Sequence, residues 1–460
     1  MEVLYKQGLT DNHWTIVKKL NENLTAKIQT KYGYTRMIQI LDSIRQGGVL
    51  STTMYGAIMD EVSKELEKEK QGIIISENGA EKGSLLWVDD VFLIAMEGEL
   101  QKPLDITDEI SSKYHIEYGK PKSNSLPIKT SKNKIKEKAY SLGEMELERT
   151  DKYKYLGYIQ NSKNNNDEHI KAVKSRTEAA YQQMMALAGN SSFENIEMEA
   201  IWTVLRACIT PAITYSGEAW EPTKKNYKEA NQIMDGVLKR ILKTPTHGTS
   251  REAIYIETGL LDPEAIILKN RINMEGRIRN GNNETMKTIL LSKTTGSWAQ
   301  DNNKIKERLG LTEDEIKNNK YALKEIAKTK VKDDFKTRIN AEMDGKSKMN
   351  YFMEGKKEWQ PLKPAEYTQK LSRNQVSNIF KARTRMLKVR SNYKNGHKEH
   401  KCRLCNANEE TQQHVLEQCE KLDQYEKITK EMIFDENVEN LRITAGNIQI
   451  RMEKLEEQQG

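Results

Sequence analysis

The chain contains 460 residues, enough for two or three folded domains. A charged fraction of 31% and a mean hydropathy of −0.79 argue against an integral membrane protein, while 37% apolar residues support buried cores. No apolar stretch is long enough to span a membrane, and the N-terminus lacks a signal-peptide pattern. The four cysteines do not suggest a disulfide framework. We therefore expect an intracellular protein in a reducing compartment, with no membrane partner and no identifiable targeting signal.

The first 160 residues mix helical and strand patterns. Thr10 precedes a helical pattern that carries Trp14 and Val17, and a hairpin-like alternation surrounds Gly33. A second helical pattern begins after Gly48, and short strand patterns then continue to Tyr158. This mixture predicts an α+β region.

Asp89 and Asp90 follow one short apolar run and precede another, so the sequence predicts a hairpin with two carboxylates at its tip. Adjacent carboxylates among apolar residues repel each other and lose hydration, at a cost of several kcal/mol per ion unless a cation offsets it. A pair of Mg²⁺ ions serves this purpose in nucleotidyl transfer. The alternative is an ordinary solvated Asp-Asp turn.

Further motifs occur in order on both sides of this hairpin. They are Gln46-Gly47-Gly48 opening a helix, Trp87 beside the aspartates, Lys120-Pro121-Lys122-Ser123, Tyr155-Leu156-Gly157, and Tyr215-Ser216-Gly217-Glu218-Ala219-Trp220. As a series, these motifs resemble the reverse transcriptase of LINE-type non-LTR retrotransposons, and the resemblance covers nearly the whole chain. It implies a partial palm, then an all-helical thumb and a small C-terminal zinc-knuckle region.

The resemblance also implies a role for each motif. Asp89 would bind the catalytic Mg²⁺ with support from Asp90, and Lys122, or else Lys120, would protonate the leaving pyrophosphate unless both are surface lysines. Gln46, Gly47, Gly48 and Trp87 would position the template and the incoming deoxynucleotide, and Tyr155, Leu156 and Gly157 would grip the primer. The implied partners are an RNA template and a DNA primer or target, and the family resemblance also implies access to the nucleus.

After a polar break at Asn161 the pattern becomes helical. Residues 161–281 form the predicted thumb, in which Cys208 lies on an apolar stripe and is expected to be a buried core thiol. Residues 282–358 are polar, with a weak helical pattern, and we expect a mostly helical connector of unknown role.

The segment from Arg373 to Arg403 is strongly basic. It contains ten Lys or Arg residues and one acid, Glu399. Such a strip predicts a phosphate-binding surface, with a solvated helix face as the alternative. The predicted nucleic-acid-binding residues are Lys381, Arg383, Arg385, Lys388 and Arg390.

Cys402, Cys405, His414 and Cys419 follow within the C-terminal segment, residues 359–460. Three thiolates and one imidazole at this spacing are a tetrahedral Zn²⁺ set. Four protein ligands leave no open position, so the zinc ion is expected to be structural.

The family's palms carry a further aspartate on a strand before the first palm helix. Residues 2–9 resemble that helix, so we expect residues 1–160 to be a partial palm that lacks this aspartate and the fingers. The expected function is RNA-templated DNA synthesis, impaired in this chain because one metal-bridging carboxylate is absent. The alternative is a non-catalytic remnant that binds RNA or DNA through the basic strip and the zinc knuckle.

Overall fold

The computed structural model describes residues 1–40, 48–75, 79, 81–129, 138–187, 196–291, 298–392 and 400–457. The chain divides into two compact units, Met1–Asn164 (unit 1) and Asn165–Gly460 (unit 2). Helices and small sheets are mixed, which confirms the α+β class, while the palm and thumb assignments stay predictions. Among the described helices, none is both long and apolar enough to cross a membrane.

Unit 1 contains four helices and short paired strands among its described residues. The helices are α1 Glu2–Lys6, α2 Asp11–Asn21, α3 Ser51–Lys68 and α4 Gln101–Lys113, and a 3₁₀ helix spans Lys120–Lys122. The strands are β1 Thr25–Ala26, β2 Gln29–Thr30, β3 Gly33–Tyr34, β4 Ile38–Gln39, β5 Ile73–Ile74, β6 Glu81–Lys82, β7 Ser84–Trp87, β8 Asp90–Leu93, β9 Asn124–Ser125, β10 Ser141–Leu142, β11 Met145–Glu146, β12 Glu148–Arg149, β13 Lys152–Tyr155 and β14 Tyr158–Asn161.

The strands of unit 1 pair only two by two within the described residues. The pair β9–β12 is parallel, and β1–β4, β2–β3, β5–β6, β7–β8, β10–β11 and β13–β14 are antiparallel. The predicted hairpin around Gly33 is confirmed, because β2 and β3 pair on either side of its turn. Two-stranded ribbons are marginal alone, so packing against helices must stabilise them.

The core of unit 1 joins α3 to the β7–β8 hairpin. Apolar residues recur along α3 at helical spacing and bury one face of that helix. The buried residues are Met59, Val62 and Leu66, and Leu86, Val91 and Leu93 of the hairpin pack against them together with Ile106 and Ile110 of α4. One face of the hairpin thus packs on α3 and α4, and its tip stays free of this core.

Unit 2 is helical. Its helices are α5 Asp167–Leu187, α6 Met198–Val204, α7 Thr210–Thr214, α8 Lys224–Ile241, α9 Arg251–Thr258, α10 Pro263–Asn280, α11 Glu284–Leu291, α12 Trp298–Leu309, α13 Glu313–Lys317, α14 Lys320–Met343, α15 Ser347–Lys356, α16 Tyr367–Lys370, α17 Arg373–Arg383, α18 Lys430–Ile433 and α19 Val438–Glu456. Short 3₁₀ helices span Gly217–Ala219, Arg390–Asn392 and Glu420–Leu422, and π-helical turns span Leu205–Ile209 and His414–Gln418.

The polar segment 282–358 belongs to the core of unit 2. Helix α14 begins at the cap Asn319, whose side chain accepts hydrogen bonds from the N–H groups of Tyr321 and Ala322. One residue per turn is buried along its length: Leu323, Ala327, Val331, Phe335 and Ile339. This stripe packs against α10, so the predicted connector contributes a buried helix to the same compact unit as the predicted thumb.

Cys208 is exposed, so the expectation of a buried core thiol is wrong. It lies in the π-helical turn Leu205–Ile209, which precedes Pro211 in α7. Proline lacks an N–H and crowds the preceding turn of a helix, and a π-helical turn absorbs that disturbance with an extra residue. The extra residue rotates the apolar face, so that Leu205 and Ile209 are buried while Cys208 faces solvent.

Candidate functional site

Asp89 and Asp90 lie at the tip of the β7–β8 hairpin, as the sequence predicts. Trp87 pairs with Asp90 as the last rung, and Val88 and Asp89 form the turn. Val88 has a positive φ of 56°, which two-residue hairpin turns need and a β-branched residue rarely adopts. Both aspartates are exposed, and Trp87 is 63% exposed. The predicted loss of hydration is therefore wrong, because the tip projects beyond the apolar runs.

The negative charges of Asp89 and Asp90 affect the pKa values of different tyrosines. Burial raises the pKa of Tyr55 on α3, and the Asp89 carboxylate adds to this effect. Burial also raises the pKa values of Tyr153 and Tyr155 on β13, and there the added negative charge is that of Asp90. Successive residues near a strand end face opposite sides. The two carboxylates therefore lie towards different sides of the hairpin.

The Tyr155-Leu156-Gly157 motif forms a second hairpin turn against the first. Leu156 and Gly157 link β13 to β14 with φ values of 46° and 84°, as a type I′ turn requires. The ring of Tyr155 lies 5.1 Å, centroid to centroid, from the ring of Phe92, which is on the same face of β8 as Asp90. Aromatic packing thus fixes the Tyr-Leu-Gly turn beside the aspartate hairpin.

Lys122 joins the same neighbourhood through its backbone. The Tyr153 hydroxyl donates a 2.7 Å hydrogen bond to the Lys122 carbonyl oxygen, and the Lys122 side chain is exposed at the end of its 3₁₀ helix. Gly48 lies three residues before α3, where its carbonyl accepts from the Ser51 N–H, while Gln46 and Gly47 lie outside the described residues. Tyr55 and Tyr153, which sequence reasoning missed, are the residues that connect these motifs.

The hairpin does not make up a magnesium set by itself. Carboxylate oxygens are the right donors for Mg²⁺, but Asp89 and Asp90 face different neighbours. Over the described ranges, no group of three or more acidic, His or Cys side chains is close enough together at this tip to hold a metal ion. A magnesium site here would need ligands beyond those described.

Cys402, Cys405, His414 and Cys419 do come together. Their potential ligand atoms all lie within 4.8 Å of one another. The Sγ atoms of Cys402 and Cys419 are 3.9 Å apart, and Cys405 Sγ is 3.3 Å from His414 Nε2. A tetrahedral zinc ion with zinc–sulfur bonds of about 2.3 Å holds its sulfur ligands about 3.8 Å apart. The cluster can therefore hold a structural metal such as zinc.

The loop around Cys402 and Cys405 is held by backbone hydrogen bonds and favours the thiolate form of Cys405. The Cys402 N–H donates to the Asn408 carbonyl oxygen, and Lys401 pairs with Glu409 in an antiparallel bridge. Burial, together with the negative charge of the neighbouring Cys402, raises the pKa of Cys419 to about 12. For Cys405 the effect of burial is outweighed by N–H groups of the following loop, so its pKa is lowered. A metal ion would deprotonate all three thiols and offset the cost of their burial.

Arg451 of α19 hydrogen-bonds the backbone next to this metal cluster. It is 1% exposed, and its guanidinium donates to carbonyl oxygens of the chain around Cys419. Nε bonds Glu426 at 2.8 Å, Nη1 bonds Val415 at 2.9 Å, and Nη2 bonds Tyr425 at 2.7 Å and Leu422 at 3.2 Å. Burial lowers the pKa of Arg451, while Cys419 and Asp423 act in the opposite direction. An isolated arginine in a polar tail gave no signal of this role.

The basic strip is not one continuous surface, and the assignment of Arg383 to it is wrong. Arg383 is 4% exposed and forms a 3.0 Å ion pair with the fully buried Glu257. Its remaining donors reach the Ile433 and Asp435 carbonyl oxygens. A guanidinium held in this way is not available to a phosphate, because leaving Glu257 unpaired in the core would be costly.

The other four predicted strip residues are more accessible. Arg385 is exposed and lies over the Tyr351 ring at 4.0 Å. Lys388 is exposed and pairs with Glu456 at 2.9 Å. Arg390 is half-buried and donates to the Lys401 carbonyl oxygen at 2.8 Å, while Lys381 is half-buried on α17.

No protein-family model matches this chain, and no curated protein matches its sequence.

Proposed function

We propose that unit 1 carries part of the nucleotidyl-transfer centre of a non-LTR-type reverse transcriptase. One observation carries the proposal: the aspartate hairpin, the Tyr-Leu-Gly turn and the Lys122 turn, which are widely separated in sequence, share one neighbourhood. The Phe92 ring packs against the Tyr155 ring, and the Tyr153 hydroxyl donates to the Lys122 carbonyl oxygen. A polymerase needs metal-binding carboxylates, a primer contact and a proton donor together at one place.

In this proposal Asp89 binds Mg²⁺, Asp90 supports it, and Lys122 protonates pyrophosphate. Gln46, Gly47, Gly48 and Trp87 position an RNA template and a deoxynucleotide, and the turn at Leu156 holds the DNA primer. Among the described residues, Asp89 and Asp90 are not joined by a further His, Cys or acidic ligand. We therefore propose that synthesis by this chain is weak, because loss of one metal ligand lowers rates by about 10²–10⁴-fold.

Unit 2 is proposed to bind nucleic acid, with the Cys402 cluster holding structural Zn²⁺. All four cluster positions are protein ligands, so zinc would stabilise the fold without an open site for chemistry. Exposed cations at Arg385 and Lys388 lie close to the cluster in sequence. They are suited to phosphate contacts.

The second candidate is a nucleic-acid-binding protein without polymerase activity. The observation that favours it is that Asp89 and Asp90 are exposed, face different neighbours and have no third ligand among the described residues. A solvated Asp-Asp turn has these properties without any metal.

Primer extension by the full chain separates the two candidates. The assay uses an RNA template with a DNA primer, in Mg²⁺ and separately in Mn²⁺. Asp89→Asn removes the proposed metal ligand at constant shape, and Glu144→Gln is the matched control, since Glu144 is an exposed acid in the turn between β10 and β11. Extension lost in Asp89→Asn alone supports the polymerase. Extension equal in both variants refutes the role of Asp89, and template binding without extension supports the second candidate.

A further inference from the structure

Helices α10 and α14 pack against each other in antiparallel directions. Leu323 at the beginning of α14 lies against Gly276 near the end of α10, and Arg338 near the end of α14 donates hydrogen bonds to Asp262, the N-cap of α10. In two antiparallel helices, the residues that directly follow the buried positions lie on the same side of the contact, because both helices are right-handed. Side chains at these positions therefore share one surface.

A row of lysines runs along α14 beside its buried stripe. Lysines recur at every fourth position, and the last four of them directly follow a buried residue of the stripe. The members of this lysine row are Lys320, Lys324, Lys328, Lys332 and Lys336. Because each residue of an α-helix rises 1.5 Å, neighbouring members are spaced about 6 Å along the axis. Lys332 is half-buried and the other four are exposed, so the row is a regular line of cations on the surface.

Helix α10 adds cations on the same side. Lys269 and Arg277 follow buried residues of α10 by one position, so the antiparallel packing places them beside the lysine row. Arg277 is exposed and Lys269 is half-buried. Burial lowers the pKa of Lys269, and the positive charges of Lys324 and Lys328 act in the same direction, which agrees with this placement.

Few acids oppose these cations. Lys328 pairs with Glu325 at 3.2 Å, and Asp333 is exposed beside the row. Asp334 lies on the opposite flank of α14, where it pairs with Arg308 at 2.9 Å. Among the described residues, the other cations of this surface form no ion pair; they are Lys269, Arg277, Lys320, Lys324, Lys332 and Lys336. Positive charge is therefore in excess along this side of the two helices.

We propose that this surface of α10 and α14 binds the phosphate backbone of a nucleic acid. This role rests on the proposed nucleic-acid binding of unit 2 and assigns it to a helix, α14, that sequence reasoning left without a function. The charge of a nucleic acid repeats along its strand, so a regular row of lysines can neutralise several phosphates, each lysine acting as a point charge.

The composition of the surface favours a nucleic acid over an acidic protein. Among the described residues of these two helices, Tyr321 is the only large apolar side chain that is strongly exposed. The buried centre of a protein–protein interface is apolar and depleted of lysine, whereas protein–nucleic acid interfaces are polar and positively charged. A row of lysines without an apolar centre matches the second kind of interface.

The salt dependence of RNA binding by the full chain tests this surface. Affinity for a single-stranded RNA is measured by fluorescence anisotropy between low and moderate salt. The row variant, Lys324→Gln, Lys332→Gln, Lys336→Gln, removes three cations that have no carboxylate partner among the described residues. It should lower the slope of log affinity against log salt by about 2, since each phosphate that is no longer neutralised contributes about 0.7.

A second triple variant is the matched control. Lys228→Gln, Lys304→Gln, Lys363→Gln removes the same net charge from exposed lysines on other parts of unit 2, so it should leave the slope unchanged. Arginine at the three positions of the row variant keeps each charge and should also keep the slope. These controls separate a local contact from an effect of net charge.

Lysine labelling of the unmodified protein gives an independent measurement. RNA that lies along the row should slow acylation of Lys324 and Lys336 several-fold, and should not slow acylation of Lys228. Polyglutamate of similar length is the competing probe, because it carries a repeated negative charge on carboxylates in place of phosphates.

The outcomes separate this surface from the proposed function. A lowered slope in the row variant alone, with protection of Lys324 and Lys336 by RNA, supports both. An equal loss of slope in the two triple variants overturns the surface, as does RNA binding with an unchanged slope and no protection; in both cases nucleic-acid binding by unit 2 stands. Polyglutamate that protects the row when RNA does not refutes a nucleic acid as the ligand of this surface. Absence of RNA binding by the parent chain refutes both.

Discussion

Replacing Arg451 should weaken metal binding at the Cys402 cluster, although Arg451 is not a ligand. Its guanidinium is buried and donates only to carbonyl oxygens, so its counter-charge must come from elsewhere. A zinc ion with three thiolates and one neutral imidazole carries a net charge of −1. Cys419 is the first of the groups whose negative charge acts on Arg451. With zinc bound, the zinc–thiolate centre would therefore supply the counter-charge of Arg451.

The magnitude follows from this arrangement. Removing a buried, hydrogen-bonded charge costs about 3–5 kcal/mol, so Arg451→Met should lower the free energy of unfolding by about that amount with zinc bound. Two charges several ångströms apart interact by about 1–3 kcal/mol in a protein interior of moderate polarity. Without zinc, Arg451→Met should lower the free energy of unfolding by a smaller amount, and the difference is this interaction energy. The reason is that neutral thiols give the arginine no counter-charge. By linkage, zinc affinity should fall by about 5–150-fold.

Competition with a chromophoric chelator measures the zinc affinity, and urea denaturation with and without zinc measures the coupling. Arg442→Met, at an exposed position on the same helix α19, is the control and should leave both unchanged. Arg451→Lys keeps the charge with fewer hydrogen bonds, so it should lose stability but keep most of the zinc affinity. A zinc affinity in Arg451→Met within twofold of the parent would refute the reasoning.

Three further predictions also concern unit 2. Cys402→Ser should remove stoichiometric zinc and lower thermal stability, as measured by metal analysis and calorimetry; unchanged stability would contradict a structural metal. Gly217→Ala should destabilise the protein by about 1–3 kcal/mol, because the new Cβ would lie 2.6 Å from Ile267 Cγ1, whereas Gly236→Ala has open space on α8 and should be neutral or stabilising in the same urea titration. Burial lowers the pKa of His169 to about 4, whereas the same imidazole in the unfolded chain has a pKa of about 6.5, so between these values it binds a proton only when the protein unfolds. The free energy of unfolding should therefore decrease as the pH is lowered from about 6.5 to about 4, and His169→Gln should flatten that dependence.

The sequence predicted the aspartate hairpin and the metal cluster because both are local patterns. Two apolar runs flanking Asp89 and Asp90 leave few alternatives to a hairpin, and a Cys-x2-Cys turn brings two ligands together by covalent geometry alone. The exposure of the aspartates could not be predicted in the same way. It depends on where α3 packs along the hairpin, which is a tertiary property.

The helix α14 shows why the segment 282–358 gave so weak a signal. It buries a single residue per turn, from Leu323 to Ile339, and the positions between are mostly charged or polar. Such a narrow stripe gives little amphipathic contrast, whereas a typical surface helix buries three or four residues in every two turns. The helix is central because α10 covers that narrow stripe, and the sequence of α14 alone does not contain this information.

The basic strip illustrates what a charge count omits. Two arginines of the strip are neutralised by acids that lie outside it in the sequence. Glu257, which pairs with Arg383, lies 126 residues before it, and Glu410, which pairs with Arg403, lies in the metal-cluster loop. A third cation, Arg373, is held by carbonyl oxygens at the end of α8. Since folding neutralises these charges internally, they cannot add to a phosphate-binding surface.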